Sequence, residues 1–190
     1  MRAAVVYESM YSNTHRIADQ VAEGLGATIE TVVLPVPEGD EALGGVELLV
    51  VGGPTHVHGL SRASTRHAAE EAAQEPDSGL AMDLSANGPG VRDWLSSLGT
   101  VALYAAAFDT RMTGPKWITG RASKKIAKRL HLTGCTLVAE PESFLVTKQN
   151  ELEAGELERA REWGERLAEE VRAMPPVTPY RAAPLSESAG

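Results

Sequence analysis

The stretch Glu8-Ser9-Met10-Tyr11-Ser12-Asn13-Thr14 is where the fold of this chain can be read. Before it stands Ala3-Ala4-Val5-Val6-Tyr7, a short unbroken apolar run. Such a run suits a strand buried on both faces, as in the middle of a parallel sheet. After it, Ile17, Val21 and Leu25 recur at four-residue spacing, with Ala18 and Ala22 beside them. That spacing is one face of an amphipathic helix. The stretch is therefore a strand-to-helix turn rich in hydroxyls and an amide. A helix start leaves backbone N–H groups unpaired and carries partial positive charge. Two readings fit: Ser12 or Asn13 caps the helix, or the turn holds a phosphate through neutral donors with no lysine. Four hydroxyls and an amide between Ser9 and Thr14 favour the phosphate. The turn has neither the G-x-x-x-x-G-K-S/T of a nucleotide-hydrolysing loop nor the G-x-G-x-x-G of a dinucleotide site.

The rest of the chain alternates in the same manner. Strands are expected over 28–34, 46–51 and 101–108, and a fifth over 136–146 with a break at Pro141. Helices are expected over 61–74, 91–98, 119–132 and 156–173, with a short one near 38–43. Trp94 falls on the apolar face of its helix and is assigned to the core. Strand and helix in alternation predict an α/β doubly wound, five-stranded parallel sheet. With right-handed crossovers and a phosphate turn after the first strand, the expected order is 2-1-3-4-5. The domain is placed at 1–174 and a flexible tail at 175–190, because Pro175-Pro176 stop the last helix and no periodicity follows. Residues 76–89 form an inserted connection.

In an open parallel sheet, ligands bind beyond the carboxyl ends of the strands. Three segments meet there: the first turn; Pro54-Thr55-His56-Val57-His58 after the third strand; and the residues from Asp109 onward after the fourth. Composition narrows the partners. With 26 acidic and 18 basic residues the net charge is −8, which disfavours nucleic acid and anionic membrane surfaces. No apolar run approaches the roughly 20 residues that span a bilayer. The single Cys135 excludes an internal disulfide and fits a cytoplasmic, reducing setting. It opens an apolar run and is read as packing. His56 and His58 lack a Cys or carboxylate cluster at metal spacing, so no metal is assigned. Arg121, Lys124, Lys125, Lys128 and Arg129 crowd one helix, either as a solvated face or as a guide for an acidic partner.

Ser9-Met10-Tyr11-Ser12-Asn13-Thr14 resembles the FMN-phosphate loop of the flavodoxin-like family, Ser/Thr-x-Thr/Tyr-Gly-x-Thr/Ser, with Ser12 where that family most often has Gly. Gly53-Pro54-Thr55 resembles its second loop, although His56 and His58 stand where an aromatic is common. Phe108-Asp109-Thr110-Arg111 and Glu142-Ser143-Phe144-Leu145-Val146 resemble segments of a single-domain bacterial flavodoxin family. The resemblance spans roughly residues 3–173. It implies FMN as cofactor, with the phosphate on Ser9, Met10, Tyr11, Ser12, Asn13 and Thr14. The ring would lie between Pro54, Thr55, His56, Val57 and His58 on one side and Phe108, Asp109, Thr110 and Arg111 on the other. Because the flavin carries the chemistry, no catalytic acid or base is assigned. The implied function is electron transfer with a redox partner protein, or reduction of a small-molecule acceptor of the quinone type by an FMN-dependent oxidoreductase; a homodimer is compatible with either. The rival is a flavodoxin-fold binding module that does not bind FMN.

Overall fold

The computed structural model describes residues 1–56, 59–75, 78–83, 85–86 and 88–177. Strands β1 (Arg2–Tyr7), β2 (Glu30–Pro35), β3 (Leu48–Pro54) and β4 (Tyr104–Met112) lie parallel in the order β2-β1-β3-β4. The fifth position is filled by two pieces, β5 (Thr136–Leu137) and β6 (Glu142–Val146), which pair in turn with the lower and upper halves of β4. The expected order 2-1-3-4-5 is therefore the order found. The break before β6 coincides with Pro141, which has no N–H to give a ladder. Arg121 spans it, donating from Nε to Ser143 Oγ at 3.1 Å and from Nη2 to the Pro141 carbonyl.

Two helix layers cover the sheet. On one face, α1 (Asn13–Gly26) and α7 (Glu156–Ala173) bury Ile17, Val21, Leu25, Trp163 and Leu167 against Val5, Val50 and Phe108. These helices approach closely because Gly24 and Gly164 meet across them. A Cβ at Gly24 would lie 2.1 Å from the Arg161 carbonyl oxygen. On the other face, α2 (Gly39–Ala42), α4 (Val91–Ser97) and α6 (Ala122–Leu132) enclose Leu49, Val51, Trp94, Ile126 and Leu130. Trp94 is in the core as expected, its Nε1 donating to Asp40 Oδ1 at 2.9 Å. Cys135 is buried. Helix α3 (Ala63–Gln74) rests more lightly, with Ala69 its buried residue, and α5 (Lys116–Thr119) is a single exposed turn. No described helix is long and apolar enough to cross a membrane.

Two strands run further than their apolar runs suggest. β3 was expected to stop at Val51 and β4 at Phe108, yet they pair from Leu48↔Tyr104 through Pro54↔Thr110. Gly52 and Gly53 are thus strand residues rather than a tight turn. Gly52 is there for space: a Cβ would sit 2.0 Å from Phe108 Cζ, so the phenyl ring lies where a side chain would be. The polar residues after Phe108 can stay in the strand because β6 pairs with them from the other side and their side chains find partners within the protein.

Candidate functional site

The turn after β1 leaves the sheet at Ser9 and enters α1 at Asn13. Ser12, between them, has φ 63° and ψ −3°, the left-handed region that costs a side-chain-bearing residue about 1–2 kcal/mol. This is a conformation that a glycine would take without strain. It makes no side-chain cap to the helix. A left-handed residue at this point turns successive N–H groups toward one concavity, an arrangement suited to anions. Among the described residues, no protein acceptor takes the N–H groups of Met10 through Asn13. Ser9 Oγ is buried and likewise without a partner.

The side chains around these donors are anchored elsewhere. Met10 is buried against Ala69 and Ala86, and Tyr11 donates its hydroxyl to the Ala69 carbonyl at 2.9 Å; burial raises the Tyr11 pKa. Asn13 Nδ2 donates to the Asn150 carbonyl at 2.8 Å and to Asn150 Oδ1 at 3.1 Å. Thr14 Oγ1 shares a 2.7 Å hydrogen bond with Thr110 Oγ1, tying the turn to β4. Residues 78–83 and 85–86, part of the expected insertion, lie over the turn's outer side. Asp83 N–H donates to the Met10 carbonyl at 2.7 Å, and its carboxylate faces His15 Nδ1 at 3.2 Å. Burial opposes ionisation of Asp83, but hydrogen bonds from Ser85 and Ser12 and the nearby His15 outweigh it and lower its pKa.

A cleft of about 140 Å³ opens beside this turn, at the carboxyl ends of β1, β3 and β4. From the turn, Ser9, Met10, Tyr11, Asn13 and Thr14 line it. Pro54, Thr55 and His56 form its second side, and Thr110 and Arg111 the third. Ten of the expected residues are thus brought together. Val57 and His58 lie outside the described residues. Ser12, Phe108 and Asp109 do not line the cleft. Phe108 is fully buried on the α1/α7 face, in edge contact with Phe144 and Trp163. It does not line the cleft, because its ring lies inside the layer between the sheet and helices α1 and α7. Asp109 points to the start of α6. Its Oδ2 accepts from Ser123 N–H at 2.7 Å and Thr55 Oγ1 at 3.1 Å, supplying the helix with the acceptor that Arg121 at its N-cap does not. A carboxylate there also suits the helix dipole.

Met112, Val146 and Asn150 also line the cleft and are not among the expected site residues, although Met112 falls on the ligand edge and Val146 in a family-like segment. Asn150 sits at φ 61°, a conformation Asn tolerates well, but nothing local says that its turn reaches Asn13.

Arg111 is the most telling side chain of the cleft. The residue is only 7% exposed. Nη1 donates to the carbonyls of Met112 and Gly114 and to Thr119 Oγ1, while Nε has no partner. No carboxylate among the described residues pairs with it. A buried cation without an anion is costly, so a site that keeps one is prepared for negative charge. Opposite stands His56, whose pKa is lowered by burial and then by Arg66, keeping the imidazole neutral near pH 7. Behind the turn, Glu8 is buried. It accepts from Ser61 Oγ and from Val91 N–H at 2.8 Å, joining the turn to the start of α4. Burial raises its pKa despite these bonds.

No protein-family model and no curated protein matches this chain by sequence. Solved structures do match. A flavodoxin from the domain Archaea superimposes with a TM-score of 0.60 at 19% identity, over 90% of this chain and 99% of that one. Oxidised flavodoxin 1 from Bacillus cereus gives 0.59 at 20% identity, over 92% and 100%. Rubredoxin oxygen:oxidoreductase from Desulfovibrio gigas gives 0.58 at 15% identity, over 90% of this chain and 36% of that one. With its 2-1-3-4-5 sheet and turn after β1, this chain has the flavodoxin-like fold.

Proposed function

We propose that this chain binds FMN non-covalently in the cleft between the β1–α1 turn and the end of β4, and that it transfers electrons. The observation that carries this is the pairing, in one cleft, of the unsatisfied donors of the turn with an unpaired buried guanidinium. The donor set fits the cofactor: Ser9 Oγ and the backbone N–H groups up to Asn13 would take the phosphate through neutral hydrogen bonds. Pro54, Thr55, His56, Thr110 and Arg111 would meet the rest. When bound, FMN supplies reversible one- and two-electron chemistry that no side chain here provides. The chain's own part is to bind, orient and set the electrostatics. Arg111 would favour negative charge developing beside it on reduction and so raise the potential. The net charge of −8 works the other way, but it is spread over the surface and screened by salt.

The test is a visible absorption titration of the purified protein with FMN. The expected result is a saturable change in the flavin bands with a Kd of micromolar or below, about −8 kcal/mol. No binding at about 100 μM, weaker than roughly −5.5 kcal/mol, would refute the proposal. Turnover of a quinone with NADH or NADPH then separates a small reductase from a carrier, which shows little activity unaided.

A second reading has one observation in its favour. The cleft, at about 140 Å³, is smaller than the roughly 300–1,000 Å³ usual for ligand pockets. A binding module for a smaller phosphate compound fits that size. Such a protein would stay colourless with FMN and be stabilised against heat by inorganic phosphate or a phosphate monoester.

A further inference from the structure

The chain's charge is sharply segregated. Residues 94–139 contain Arg111, Lys116, Arg121, Lys124, Lys125, Lys128 and Arg129 but a single acidic residue, Asp109, in a protein whose net charge is −8. Three of these cations converge with Arg92 of the preceding helix. Arg92 on α4 and Lys125, Lys128 and Arg129 on α6 line a groove of about 310 Å³ with Leu60 and Leu132. Among the described residues, none of these four cations has a carboxylate within ion-pair distance. Two are held in place by neutral groups: Arg92 donates to the carbonyls of Leu60 and Ser61 at 2.9 and 3.0 Å, and Arg129 to Ser96 Oγ at 2.7 Å. Leu132 is 74% exposed, an apolar side chain at the rim with nothing to cover it. Lys125 passes over Gly59, where a Cβ would lie 2.2 Å from Nζ. Gly59 in turn exchanges backbone hydrogen bonds with His56 on the cleft wall. The groove therefore adjoins the cleft.

We infer that this groove between α4 and α6 is the docking surface for an acidic protein. That the partner is a redox protein rests on the flavin reading above; the surface itself does not. A cluster of unpaired cations attracts carboxylates and speeds encounter, and the exposed Leu132 at the rim can meet an apolar side chain of the partner. The same features argue against a nucleic acid. The groove's lining residues, Leu60, Arg92, Lys125, Lys128, Arg129 and Leu132, include no aromatic side chain on which bases could stack.

The experiment is fluorescence anisotropy with a labelled short poly-L-glutamate at low and at physiological salt. It is run on the full chain and on K125E/K128E, with oligo-dT and phosphatidylserine vesicles as competitors. The expected result is saturable binding at low salt that weakens with added salt and falls by about tenfold or more in the variant. Amide shifts on binding should concentrate on α6, α4 and Leu60. Absence of binding at low salt, binding unchanged by charge reversal, or tighter capture of oligo-dT or vesicles would overturn the inference. If K125E/K128E does not fold, K125Q/K128Q serves, with a smaller expected loss. FMN titration of the variant separates the two claims. Unchanged flavin affinity with lost peptide binding supports the docking surface, whereas peptide binding without any flavin binding refutes the flavin reading alone.

Discussion

Two of the cleft's three walls are of opposite construction. The turn from Ser9 to Asn13 is local: consecutive residues, neutral donors, one left-handed serine and a helix start. The opposite wall is assembled at a distance. Thr110 and Arg111 reach the cleft because β4 continues past its apolar run, held between β3 and β6. The first wall carries its chemistry in its own order of residues. The second depends on register, and it is the one that holds a buried charge. A site can thus be half readable and half hidden, according to whether its parts are neighbours in sequence or in space.

The largest expected effect breaks the second wall through its register. Gly52→Val would drive a side chain into Phe108, and overpacking of this kind costs about 3 kcal/mol or more, read as a fall in the midpoint of thermal or urea unfolding. Combining it with Phe108→Ala should recover part of the loss, since the two occupy one space. Next is Arg111→Gln. Gln gives up hydrogen bonds from a charged donor, about 1.5–3 kcal/mol, but also relieves the cost of an unpaired buried charge, so stability without FMN should change little, as read by denaturant unfolding. In the FMN-loaded protein the midpoint potential should drop by tens of millivolts, with about 59 mV standing for a tenfold change in a one-electron equilibrium. An unchanged potential would mean that the guanidinium does not sense the flavin.

Smaller effects sharpen the first wall. Asn13→Ala removes the link to Asn150 and should cost about 1 kcal/mol, visible by denaturant unfolding. Ser12→Gly relieves the left-handed strain but loosens the unfolded chain, so the net gain should be no more than about 1 kcal/mol. A clear loss of stability would show that the Ser12 side chain, through Asp83, matters more than its backbone. Last comes a slope rather than a step. Glu8 has a raised pKa in the folded protein, so protonated Glu8 favours folding. Its contribution is full below the ordinary carboxylate pKa and is lost as the pH rises through the raised value. Glu8→Gln should therefore flatten the stability profile across that window, measured by unfolding at a series of pH values.

The alternation of strand and helix, the apolar faces of α1 and α7, the break at Pro141 and the polar turn after β1 were all legible residue by residue. Each is a matter of local period or local donors, and these are written in the order of the chain. Four features were settled only in three dimensions. β3 and β4 extend beyond their apolar runs, because they pair with each other as far as Pro54↔Thr110 and β6 pairs with β4 from the far side. Asp109 turns to α6 and Phe108 to the core, because alternation along the lengthened strand assigns their faces. Asn150 meets Asn13 across 137 residues. Arg92 joins the lysines of α6 around one groove. Local periodicity tells a residue whether it will be buried; which distant residue buries it is decided by the register and packing of the whole sheet.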